Sequence, residues 1–86
     1  MKKEKLEKLF EKEIGRAQAK CLSTKKIGCE EYTEWVLIDK TTKNVVALFL
    51  MCERMIYNVK YIEAHMITEL AKIQQTLYEL QNSGEF

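Results

Sequence analysis

The sequence predicts a mainly α protein, a small helical bundle with a long C-terminal helix. Three observations carry this expectation. Between Asn44 and Gln81 apolar residues recur at steps of three and four, from Val45, Leu48, Cys52, Met55, Val59 and Ile62 on to Met66, Leu70, Ile73, Leu77 and Leu80. That is the spacing of one face of an α-helix. No Gly or Pro interrupts the stretch, and the chain of 86 residues has no Pro and three Gly, so the usual breakers are missing. Composition agrees: 47% hydrophobic and 31% charged residues suit one folded domain.

In chain order, residues 3–21 read as a first helix. Leu6, Phe10, Ile14, Ala17 and Cys21 form a stripe, and Lys3/Glu7 and Glu4/Lys8 pair one turn apart. Gly15 is read as a tolerated surface glycine inside that helix. Residues 23–28 read as a connection.

Residues 30–50 admit two readings. As helix, Tyr32, Trp35 and Val36 share a face, and Glu30, Glu31 and Glu34 favour an N-terminus. As strands, 32–38 and 45–50 make a β-hairpin turning at 39–44, which gives an α+β alternative with the hairpin between two helices. The helical reading is preferred for two reasons. The step pattern already begins at Val45, and no Ser, Thr, Asp or Asn lies between Val45 and Tyr57 to start a later helix. Asp39, Thr42 and Asn44 would cap a helix starting near 44. Trp35, Leu48 and Phe49 are then core residues.

A helix over 44–81 would be ~57 Å long. A compact chain of this size has a radius of gyration of only ~12 Å. The first helix cannot cover such a length. Met66, Leu70, Ile73, Leu77 and Leu80 are therefore expected to form a self-association surface, giving a homodimer. Residues 1–82 read as a single domain and 83–86 as a disordered tail.

Charge is divided unevenly. Residues 1–26 hold nine Lys/Arg against four Glu, and residues 27–86 hold five against nine Asp/Glu. The two parts can attract each other, or the basic end can meet an acidic partner. The first residues alternate Lys and Glu rather than forming an apolar leader, and the apolar run Val45–Cys52 is far shorter than the ~20 residues of a membrane span. A cytoplasmic protein with no membrane role is expected.

Candidate chemistry is sparse. Cys21, Cys29, Cys52 and His65 are the residue types of a zinc site, but no CxxC or HxxxH spacing joins them. No nucleophile–base order or Gly-rich phosphate loop is present. Neither a metal nor a cofactor is expected, and catalysis is not. Arg54, Tyr57 and Tyr61, placed on the back of the long helix, are residue types enriched at binding hot spots. The functional expectation is a small non-enzymatic protein–protein interaction module, an inhibitor, adaptor or regulator that occludes a partner surface. The alternative is a nucleic-acid-associated protein using its basic N-terminal helix, with Lys2, Lys3, Lys5, Lys8, Lys12, Arg16 and Lys20 towards phosphates.

Overall fold

The computed structural model describes residues 3–53 and 55–84. It corrects the fold class: the chain is a small α+β protein, not a helical bundle. Helix α1 (Lys3–Glu13) leads into four strands, β1 (Ala17–Ile27), β2 (Glu30–Asp39), β3 (Val45–Cys52) and β4 (Met55–Ile62). A 3-10 turn (Ala64–Met66) then enters helix α2 (Ile67–Ser83). The strands form one antiparallel sheet in the order β1-β2-β3-β4. The 32–38/45–50 hairpin of the alternative reading is its middle pair, inside a larger sheet that neither reading contained. The radius of gyration is 12.4 Å.

Helix α1 stops well short of residue 21. Its buried stripe is Leu6 and Phe10, and Ile14, just past its end, is buried with them. Gly15 belongs to the turn that ends the helix rather than to its interior. Beyond it, Ala17, Ala19 and Cys21 follow at steps of two, the strand period. They face inward opposite Asp39, Leu37 and Trp35.

Both helices lie on one face of the sheet, and the core fills the space between. Phe10 meets Trp35 and Phe49 edge-on, with ring centroids 5.2 and 5.6 Å apart. Leu37, Ala47, Met51, Met66, Leu70, Ile73 and Leu77 complete the cluster. The one buried polar side chain among the described residues, Thr33, accepts a hydrogen bond at 2.9 Å from the Trp35 indole N–H. Neither group is left unsatisfied. Trp35 and Phe49 are buried as expected, but Leu48 is only half-buried and belongs to the other face.

The helix-like steps of residues 45–62 have two origins: every residue of β3 is apolar, so a spacing of three and four can be traced through it, and β4 is bulged. Strand β3 sends Ala47, Phe49 and Met51 inward at steps of two. Their partners on β4 are Ile62, Val59 and Ile56, at steps of three, because the register shifts twice along this pair. Each shift inserts one extra residue, which lengthens the inward repeat from two to three. A twice-bulged strand thus carries the apolar spacing of a helix. Strand β3 is apolar on both faces, with Ala47, Phe49 and Met51 inward and Leu48 and Leu50 on the outer side.

The polar stretch 39–44 serves as a turn. Asp39 Oδ1 accepts the N–H groups of Thr41 and Thr42 at 2.8 and 2.9 Å. Lys43 takes a left-handed φ of 65°. The hydrogen bonds from Thr42, then Thr41, hold the Asp39 carboxyl below its ordinary range. Stability from this contact is present above the unfolded value near ~4 and is lost as pH falls through the lower folded value. The Asp39→Ala variant should therefore melt below the parent at neutral pH, and the gap should narrow as pH is lowered from about 4. A gap constant from pH 7 to pH 2 in paired thermal melts would show that the ionised carboxylate contributes nothing.

Helix α2 is 17 residues long and ends at Ser83, where Gly84 takes a left-handed φ of 76° and donates its N–H to the Gln81 and Leu80 carbonyls. Left-handed closure at this position is the usual work of glycine. Glu85 and Phe86 of the expected tail lie outside the described residues. On the sheet side of α2, Gln74 Oε1 accepts the Ile56 N–H at 2.9 Å and so ties the helix to β4. Below this tie an open apolar groove of about 490 Å³ runs between Ile56, Val59 and Ile62 on β4 and Ile67, Leu70 and Ala71 on the helix segment.

Candidate protein-binding face

With both helices on the inner face, no helix among the described residues covers the outer face of the sheet. The alternation of strand side chains decides what it presents. Strand β2 contributes Tyr32, Glu34, Val36 and Ile38, and β3 contributes Leu48, Leu50 and Cys52. Strand β4 adds Asn58 and Tyr61, paired with Leu50 and Leu48. Tyr57 is brought to the same side at a bulge, where its ring packs edge-on against Tyr32 at 5.6 Å. Apolar residues at the centre of an uncovered sheet face, rimmed by tyrosines, make a surface suited to another macromolecule.

Two of the three residues read from sequence as partner-binding stand here. Tyr57 is 60% and Tyr61 46% exposed. They stand on a strand rather than the back of a helix; the bulge at Lys60 would put them on opposite sides, and the second bulge, at Tyr57, brings that ring back to the outer side. Arg54 lies outside the described residues. The reading missed Tyr32, Leu48 and Leu50, since a central strand and a buried helix segment look alike in composition.

The polar groups of this face are largely engaged with one another. Lys60 Nζ meets Glu34 Oε2 at 2.8 Å across the strands. The Tyr61 hydroxyl donates to Glu63 Oε2 at 2.9 Å, and that carboxylate raises the Tyr61 pKa. The Cys52 thiol donates to Glu30 Oε2 at 3.1 Å, which favours the neutral thiol and raises its pKa. A hydrogen bond with Cys52 also pushes Tyr32 up. Nothing here activates a nucleophile: the shifts hold Cys52, Tyr32 and Tyr61 in their protonated forms. A shallow cup of about 260 Å³ opens over this face, with Tyr32 and Leu50 as floor and Lys25, Ile27 and Tyr57 on its sides.

The remaining sequence candidates are dispersed. Cys21 and Cys52 are half-buried and Cys29 is exposed. His65 stands in the 3-10 turn with Nδ1 3.6 Å from Glu63 Oε1. No group of three His, Cys, Asp or Glu able to hold a metal occurs among the described residues. On α1, Lys5, Lys8 and Lys12 are exposed but alternate with exposed Glu4, Glu7 and Glu13.

The proposed self-association stripe is placed differently from its premise. Met66, Leu70, Ile73 and Leu77 are buried against the sheet of their own chain, and Leu80 is half-buried. The length argument assumed one helix over 44–81, whereas α2 starts at Ile67. No helix among the described residues is long and apolar enough to cross a membrane.

Fold and face together define a small α+β protein with helices on one side of a four-stranded meander and an aromatic, uncovered side opposite. No protein-family model matches the chain, and no curated protein or solved structure matches it.

Proposed function

We propose that this chain is a non-enzymatic protein-binding module that lays the outer face of its sheet on a partner protein. The inhibitor, adaptor or regulator role expected from the sequence is kept in that form: occlusion of a partner surface by a preformed face. The observation that supports it best is the exposed Tyr57 and Tyr61 pair beside the apolar centre of a face that no described helix covers. Tyrosines on a rigid strand give large contact area at little entropic cost, and such residues dominate interface energetics.

The test compares capture from native host lysate by the parent and by a Tyr57→Ala/Tyr61→Ala variant. Both side chains are exposed, so the variant should remain folded, as its melting curve will show. Truncating an interface tyrosine typically costs more than ~1 kcal/mol, so the pair should weaken capture of a specific protein at least about tenfold. Undiminished capture by the variant would remove the outer face from consideration. Recovery of nucleic acid, released steeply by salt, would instead favour the basic helix α1.

A further inference from the structure

The two edges of the sheet are built differently. Strand β4 is interrupted by two bulges, and the Ile56 N–H is already taken by Gln74. Irregularity and side-chain cover of this kind keep an edge from pairing with another strand. Strand β1 has one bulge, at Leu22, and from Ser23 to Ile27 it keeps unbroken register with Glu34 to Glu30. Among the described residues only β2 is its neighbour, so alternate N–H and C=O groups along Ser23–Ile27 point away from the sheet with no described strand to meet them.

The side chains on this half-strand give the edge a chemical identity. Every residue from Leu22 to Ile27 is exposed, and Leu22 and Ile27 are each 54% exposed despite being apolar. Lys25 and Lys26 carry charge of one sign, and neither has a carboxylate within ion-pair distance among the described residues. Helix α1 flanks only the earlier half of β1, where Glu4 and Glu7 border an open groove beside Gln18 and Lys20. The half from Leu22 onward extends beyond those acids; of the carboxylates across from it on β2, Glu34 is paired with Lys60 and Glu30 accepts from the Cys52 thiol, which leaves Glu31 opposite Lys26.

We propose that Ser23–Ile27 is a docking edge for an extended acidic segment of a partner protein, which adds to the sheet as a fifth strand. Backbone hydrogen bonds would supply the pairing, and Leu22 and Ile27 would take apolar side chains of the segment. Lys25 and Lys26 would select its charge. Two copies of this chain are poor partners for one another here, because their lysines would face across the new pair and like charges there repel. The lysines thus exclude self-pairing while leaving the backbone open to an acidic strand. Lys25 and Ile27 share the cup on the outer face with Tyr57, but the backbone pairing is made by β1 alone, so neither proposal needs the other.

The probe is a seven-residue peptide with two adjacent central Glu flanked by Val, blocked at both ends, because Lys25 and Lys26 lie on opposite faces of β1; a Lys/Val peptide of the same pattern is the control. Binding is followed by backbone amide shifts and hydrogen exchange. The Glu/Val peptide should shift the amides of residues 22–27 and slow exchange there, and its affinity should fall several-fold between about 50 and 300 mM salt. The Lys/Val peptide should not bind. In the Lys25→Glu/Lys26→Glu variant the preference should invert, with the Glu/Val affinity down at least about tenfold and the Lys/Val peptide now bound. The Tyr57→Ala/Tyr61→Ala variant should bind the Glu/Val peptide like the parent. Failure of the Glu/Val peptide to bind, equal binding of both peptides, perturbations centred on Tyr57 and Tyr61, or a β1–β1 pair between two copies would each overturn the proposal.

Discussion

Replacing Phe10 with Ala should remove ~3–5 kcal/mol of stability, the usual loss for a fully buried aromatic. Phe10 is 1% exposed and holds α1 to the sheet through its edge-on contacts with Trp35 and Phe49. The loss is packing and burial, and the cavity left would lie between α1, β2 and β3. Domains of this size are stable by only ~5–15 kcal/mol, and each kcal/mol moves the melting temperature by about 4–8 °C. The variant should melt at least about 12 °C below the parent. A drop of only a few degrees would mean that α1 does not pack on the sheet through this residue.

The second large effect separates two accounts of the C-terminal stripe. Leu77 is 0% exposed and its neighbour Tyr78 53%. A Leu70→Glu/Leu77→Glu variant would place two carboxylates inside the core of a single chain, where each costs several kcal/mol unless it is neutralised. The structure predicts an unfolded protein, with helical and strand signals in circular dichroism both lost. Tyr78→Glu, one residue from Leu77, should change stability by less than about 1 kcal/mol. Had the stripe been a contact between two copies, the double variant would be a folded monomer. Light scattering together with circular dichroism distinguishes the outcomes, and a folded monomer would sink the placement of α2 on its own sheet.

That comparison shows where the sequence was legible. The amphipathic faces of α1 and α2 could be read because a helix buries one stripe, and the stripe residues Leu6, Phe10, Leu70, Ile73 and Leu77 are indeed buried. The sheet was concealed by three local circumstances. Bulges gave Ile56, Val59 and Ile62 a step of three. The turn between β3 and β4 holds Glu53 at a positive φ of 56°, a conformation usually announced by Asn or Gly. The same Asp39 that would suit a helix cap closes the β2–β3 turn with its side chain. Ala17, Ala19 and Cys21 did carry a period of two, but two alanines are equally at home in a helix. Of the candidate face, Tyr57 and Tyr61 were visible as residue types. The edge at Ser23–Ile27 was not, because an edge exists only once strand order is known.

The order β1-β2-β3-β4 also bears on how the chain reaches this state. Each strand pairs with the next one in sequence, across connections of two to five residues. Short loops close at small entropic cost, so every hairpin can form without waiting for a distant segment. With no proline in the chain, no X–Pro isomerisation stands between the unfolded chain and the sheet. The two helices come from opposite ends of the chain and meet on the inner face. The topology therefore lets strand pairing proceed between neighbours in sequence, while α1 and α2 are brought together only by closing over the inner face of the meander.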